Sequence, residues 1–241
     1  MDTIRFHHTH AQVVAHRGLS GLETENTCAA FVAAGNRSYF GIETDVHRTA
    51  DGHFVVFHDD NTARVGVDSL VIEETSFETL RGLRLRDKDG ERGRSDLRIP
   101  TLAEYVSICK KYEKTCVLEL KNSFEQEDIA AIVEIIRGLS YLEHVIFISF
   151  DYDNLVKLHR ICPDQPAQYL TEKAEDWDEL IARLVSDKLG LDALYKLLDE
   201  ELVKKLHDAG IVINVWTCDD PAAAKQLDAW GVDQITTNIL E

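Results

Sequence analysis

Eight short runs rich in β-branched and apolar residues recur along the chain, each separated from the next by a longer stretch with helical patterning. This alternation constrains the fold most, because parallel strands need long crossovers, and a helix between strands supplies one. The runs are Gln12 to Ala15, Gly41 to Asp45, Cys116 to Leu120, Val145 to Ser149, Ala167 to Leu170, Leu189 to Ala193, Ile211 to Trp216 and Asp233 to Thr237. Between them, Thr101-Leu102-Ala103-Glu104 has the spacing of a capping box, and Asp220-Pro221 that of a cap followed by proline at the first helical position. Apolar residues spaced by three and four predict helices over Cys28 to Ala34, Ile129 to Arg137, Asn154 to Ile161, Glu175 to Val185 and Glu200 to Ala209. Eight such units in 241 residues predict an α/β fold, a single (β/α)8 TIM barrel domain. An open doubly wound sheet is the alternative, but no Gly-x-Gly-x-x-Gly follows a strand.

The rhythm lapses from Asp59 to Arg98, where no clean βα unit occurs and Arg84 to Arg98 is nearly a charge run broken by Gly90 and Gly93. Residues 59–98 are therefore expected to form an insertion over the barrel mouth, with Arg84 to Arg98 a solvated, mobile loop.

With 43 acidic against 26 basic residues the net charge is −17, which repels nucleic acid and anionic membranes, so any anionic ligand needs local neutralisation. The start, Met1 to His8, lacks the basic and apolar regions of a secretory signal, and no later run is long and apolar enough to span a bilayer. Five scattered cysteines, Cys28, Cys109, Cys116, Cys162 and Cys218, form no Cys-x-x-Cys pair and fit reduced thiols. These features predict a cytoplasmic protein. His7, His8 and His10 read as a solvated start and are left out of the site.

Side chains two apart on a strand share a face, so Glu43 and Asp45 project together, as do Glu119 and Lys121. Both pairs close apolar strands at the end where barrel active sites are built, and a buried carboxylate there needs a partner or a metal. Three converging carboxylates would be held ionised by a hard divalent cation, Mg²⁺ or Ca²⁺. Without one, Glu43 could pair with Lys121 or an arginine. His16 and His58 each follow an apolar strand and precede a turn at that same end, and suit a general acid and base near neutral pH. Arg17 offers a planar fork to phosphate or carboxylate oxygens, or a salt bridge to Glu43.

Val14-Ala15-His16-Arg17-Gly18, Glu25-Asn26-Thr27 and the stretch from Ile42-Glu43-x-Asp45 through Asp51-Gly52 to Val56-x-His58-Asp59 resemble the glycerophosphodiester phosphodiesterase family. The likeness continues in Ile99-Pro100-Thr101-Leu102-x-Glu104, Leu118-Glu119-Leu120-Lys121, Ser149-Phe150-Asp151, Val215-Trp216-Thr217 and Gly231-Val232-Asp233-x-Ile235-x-Thr237. It implies a metal-dependent barrel that hydrolyses a small-molecule glycerophosphodiester to glycerol 3-phosphate and an alcohol. By position it assigns His16 and His58 to acid–base catalysis, Glu43, Asp45 and Glu119 to the cation, and Arg17 and Lys121 to the phosphate. Trp216 falls near the glycerol part. The sequence departs from the family at Thr24, where proline is common, and at Asn238, where Asp commonly follows Thr; neither is expected to touch a catalytic position. Two other readings share these residues: a phospholipase D-type hydrolase of lysophospholipids, and a barrel that binds a phosphorylated ligand without turning it over.

Overall fold

The computed structural model describes residues 2–66, 69–174 and 176–241. Met1, residues 67 and 68 of the expected insertion, and Glu175, the expected first residue of one helix, lie outside the described residues.

Among the described residues nine strands form one sheet: β1 (Gln12–Ala15), β2 (Gly41–Arg48), β3 (Phe54–Val56), β4 (Thr115–Leu120), β5 (Val145–Ser149), β6 (Ala167–Thr171), β7 (Gly190–Leu194), β8 (Ile213–Trp216) and β9 (Gln234–Thr237). The spatial order is β1-β9-β8-β7-β6-β5-β4-β2, and parallel pairing of β1 with β2 closes the ring. Each of the eight predicted runs is a strand of this barrel, with ends shifted by a few residues. The apolar run at Phe54 is a strand too, but it runs antiparallel to the far end of β2, outside the ring, pairing Val46 with Val56 and Arg48 with Phe54.

Helices α1 (Cys28–Gly35), α3 (Leu102–Lys111), α4 (Gln126–Gly138), α5 (Tyr152–Ile161), α6 (Trp177–Asp187), α7 (Glu200–Asp208) and α8 (Pro221–Trp230) lie between successive barrel strands, and the short α2 (Phe77–Gly82) belongs to the insertion. Their starts follow local chemistry. The capping box is complete, since Thr101 accepts from the Glu104 amide and Glu104 from the Thr101 amide. Asp151, Asp176, Asp199 and Asp220 cap α5 to α8, each carboxylate accepting from a first-turn N–H where the helix dipole also favours negative charge. Part of the acidic surplus is thus capping.

The largest apolar cluster fills the layer between strands and helices, with Phe31, Tyr105, Ile132, Leu155 and Leu206 among its buried members. A small second cluster, Val14, Val117, Ile148 and Leu170, with Trp216 partly buried against it, comes from the alternate strand positions. Strands covered on both faces read as nearly unbroken apolar runs, which is why these were visible in the sequence.

The insertion departs from the expected loop. Leu85 and Leu97 are buried in a core of their own with Val55, Phe57, Ile72, Leu80 and Ile99, and the Leu85 amide donates to Leu97 O at 2.9 Å. The charges between them are mostly exposed, as predicted, but they are pinned: Arg94 reaches Glu23 at 2.6 Å and Lys88 Nζ donates to Ser20 O at 2.6 Å. Apolar residues at the two ends of a charge run close it into a loop with a fixed base.

Candidate active site

The turn after β1 is tight. Arg17 adopts φ 53°, in the left-handed region, which carries the chain round so that its N–H donates to Glu43 Oε2 at 2.8 Å. Gly18 follows at φ 75°, where an added Cβ would lie 2.7 Å from Ala30; only glycine lets the turn lie against α1. The Arg17 guanidinium turns to Glu25, 2.8 Å away, with Asp45 at 3.9 Å. Arg17 therefore touches Glu43 through its backbone, rather than by the salt bridge the sequence offered as an alternative.

Glu43 and Asp45 point inward from β2, and Glu119 from β4, where it pairs in register with Asp45. All three are buried, with one oxygen of each within 4.8 Å of the others. A point exists within about 2.8 Å of all three, close to calcium–oxygen distances of roughly 2.3–2.6 Å. Asp45 Oδ1 is buried without a hydrogen bond among the described residues, and no nitrogen or sulfur donor joins the set. Such a group of oxygens fits a hard divalent cation. Lys121 lies beside it, its Nζ 3.0 Å from Glu119 and 3.5 Å from Asp45.

Electrostatics separates the three acids. Burial and the Asp45 charge push the Glu119 carboxyl up to about 8. Burial and the same neighbour push Glu43 well above the ordinary range, against the pull of Arg17. Asp45 is buried as well, yet Lys121, His58 and Arg17 together hold it far below the usual carboxylate range. Without a cation, then, Asp45 is the acid favoured as carboxylate, Glu119 is mostly protonated near pH 7, and Glu43 is shifted toward its protonated form.

His16 leaves the end of β1 with Nδ1 2.8 Å from Asn238 Oδ1 and Nε2 3.9 Å from Glu43. The Asn238 amide is oriented by its other contacts: its Nδ2 donates to Asp219 at 2.7 Å, and its Oδ1 accepts from Ser20. Oδ1 can only accept, so His16 Nδ1 carries the hydrogen and neutral His16 presents Nε2 as a base. Burial, and then the Arg17 charge, lower His16 to about 4. His58 differs in its partner: Nδ1 lies 2.6 Å from the Asp59 carboxylate. Burial lowers His58 as well, with Asp45 and Asp59 opposing.

A cavity of about 280 Å³ holds these groups together, lined by His16, Arg17, Glu43, His58 and Glu119 and, on the far wall, by Leu170, Asp192 and Trp216. Phe150, half exposed, stands edge-on to the Trp216 ring at 5.6 Å between centroids. Every residue predicted for the site thus lies at or beside one mouth of the barrel. Asp45 and Lys121 join through their contacts rather than as lining.

Several supporting residues escaped the sequence reading. Asn238 is the main correction: expected to lie clear of catalytic positions, it holds the His16 ring. Asn26 orients Asp45 through Nδ2 at 2.7 Å and accepts from Thr44, so the Glu-Asn-Thr block is a scaffold for Arg17 and Asp45 that ends in the α1 cap, Thr27. Arg64 of the insertion bridges Glu25 and Asp59, joining the supports of Arg17 and His58. Thr24, the other departure, donates to Arg86 O and ties the β1–α1 turn to the insertion.

Residues 16–241 match the model of the glycerophosphoryl diester phosphodiesterase family. A glycerophosphodiester phosphodiesterase of Caldanaerobacter subterraneus is 30% identical, the match covering 94% of this chain and 93% of that one. An Oleispira antarctica phosphodiesterase, solved in complex with the product sn-glycerol-3-phosphate, is 30% identical with a TM-score of 0.85, over 95% of this chain and 93% of that one. The glycerophosphodiester phosphodiesterase of Thermotoga maritima is 28% identical with a TM-score of 0.78, over 96% of each chain.

Proposed function

The chain belongs to the glycerophosphoryl diester phosphodiesterase family, and on that premise we propose that it hydrolyses glycerophosphodiesters to glycerol 3-phosphate and an alcohol, with a divalent cation and two histidines. The observation that carries this reading is the arrangement of two histidines with different partners around one group of three buried carboxylates. Glu43, Asp45 and Glu119 would hold Mg²⁺ or Ca²⁺, which when bound supplies Lewis-acid polarisation of the phosphoryl group. Arg17 and Lys121 hold the remaining phosphate charge, and the ring of Trp216 packs against the glycerol carbons.

The two histidines divide the proton transfers. His16, neutral and with Nε2 free, removes the proton from the attacking oxygen, while Asn238 keeps its tautomer fixed. His58, backed by the Asp59 carboxylate, carries the proton that the departing alkoxide takes. After transfer His16 is cationic beside Glu43, and its proton passes to solvent as product leaves.

The chain acts as one catalytic domain, with residues 59–98 set over the barrel mouth. The bridge from Arg64 to Glu25 and the contact of Lys88 with Ser20 support that placement. Five free cysteines support a cytoplasmic setting. Release of glycerol 3-phosphate from glycerophosphocholine, measured with Mg²⁺, with Ca²⁺ and with excess chelator, tests the reading. Turnover should need a cation; turnover that survives exhaustive chelation refutes the metal, and no turnover with any cation refutes the reaction.

A further inference from the structure

Asp192 is a buried acid that the reaction described above does not use. It projects inward from β7, 1% exposed, into the cavity that holds the catalytic groups. Its Oδ2 accepts from Asn214 Nδ2 at 3.1 Å, and Asn214 in turn accepts from Thr236, so the side chain is fixed from β8 and β9. Its Oδ1 is buried and, among the described residues, has no hydrogen-bond partner. A buried carboxyl with an unmet oxygen on a cavity wall is costly, and a ligand hydroxyl repays that cost.

The ring places Asp192 opposite the charged groups. Counting round the barrel in either direction, β7 is four strands from β2, the strand of Glu43 and Asp45. A small phosphate ester anchored at the Arg17 side therefore presents its far end to β7. Leu170 and Trp216 flank Asp192 on the cavity wall and suit carbon; of the other polar residues there, Thr236 is engaged with Asn214 and Glu172 is exposed, so Asp192 is the lining group with a buried, unmet oxygen at that end. Burial pushes its carboxyl well above the ordinary range, against the pull of the Asn214 amide, which favours the protonated form that donates as well as accepts.

Resting on the reaction proposed above, we infer that Asp192 is the specificity group for the free terminal hydroxyl of the glycerol moiety, and that it excludes glycerol carrying an acyl chain there. An ester at that position removes the hydroxyl hydrogen that the buried, unmet Asp192 oxygen would accept. Glycerophosphodiesters bind; lysophospholipids do not.

Calorimetric binding of sn-glycerol 3-phosphate and of propane-1,2-diol phosphate, which lacks only the terminal hydroxyl, tests this with Mg²⁺ present. The wild-type chain should prefer the glycerol compound by roughly 100-fold or more, because the analogue leaves a buried polar group unpaired. Asp192→Ala should bring the ratio to within about threefold, while Asp192→Asn, whose amide still donates, should retain at least a tenfold preference. Equal wild-type affinities overturn the inference, as does an unchanged ratio in Asp192→Ala. If Asp192→Ala does not fold, the wild-type pair and Asp192→Asn still decide. Turnover of glycerophosphocholine by the same preparation separates the two proposals: preference without hydrolysis refutes the reaction alone, and hydrolysis without preference refutes the subsite alone.

Discussion

Cation binding to this chain should expel protons, and the number follows from the carboxylate group. Glu119, pushed up to about 8 by burial and by Asp45, is protonated in roughly nine molecules of ten at pH 7 when no cation is bound. Glu43 is shifted in the same direction by burial and by Asp45, whereas Asp45 is held low. A cation needs all three as carboxylates, so at pH 7 Glu119 alone releases about 0.9 of a proton on binding, and the upward shift of Glu43 can only add to that number. Because Glu119 must give up its proton first, it alone lowers apparent affinity about tenfold at pH 7 and about 100-fold at pH 6, relative to pH well above 8. Titration calorimetry with Mg²⁺ at pH 7, in two buffers of different ionisation enthalpy, reads the protons directly. Glu119→Gln should lower the count by about one and weaken binding. Heats independent of buffer, with affinity flat within about twofold from pH 6 to 8, would refute the reasoning.

The same linkage bears on stability. Glu119 has a folded-state value above its unfolded one, so its contribution is full below about 4.5 and is lost as pH rises through about 8. Asp45, held low, contributes in the opposite sense, above its unfolded value. Metal-free melting temperature should therefore fall between pH 6 and 9, and saturating Mg²⁺ should flatten that decline; a metal-free curve that rises over this range contradicts it. His16→Ala and His58→Ala should each cost about 100-fold or more in kcat with the fold intact by circular dichroism, and near-normal turnover in either sinks that assignment. Asn238→Asp puts a carboxylate where an amide meets His16 Nδ1, raising the pKa of His16 from about 4 and moving the acid limb of kcat/KM to higher pH; an unmoved limb removes Asn238 from the mechanism. Leu97→Ala opens the core of the insertion and should cost about 2–5 kcal/mol in urea denaturation. A loss below about 1 kcal/mol would show that this core contributes little.

What could be read in the sequence depends on the range over which each signal acts. Strand runs and helix caps are local: Thr101 and Glu104 are one turn apart, and the structure forms the capping box their spacing predicts. Glu43, Asp45, Glu119 and the two histidines were legible because alternation along a strand and position at its end fix where a side chain goes. Asn238 was not, since its contact with His16 exists only once β9 lies beside β1. Asp192 did leave a trace, an acid within the predicted strand run Leu189 to Ala193, but nothing local to that run places it across the ring from Glu43 and Asp45. The insertion was misread where burial is intermittent: Leu85 and Leu97 are isolated among charges, and only their mutual packing makes them a core.

The contact between His16 and Asn238 spans 222 positions of the chain. During synthesis, β1 with its histidine leaves the ribosome well before β9 and the asparagine after it that orients that histidine. Ring closure and assembly of the site are therefore one event, set by a contact of very long range and late by nature. A nascent or C-terminally nicked chain with every carboxylate and both histidines present would still be inert, so appearance of activity in a refolding experiment would time the docking of β9.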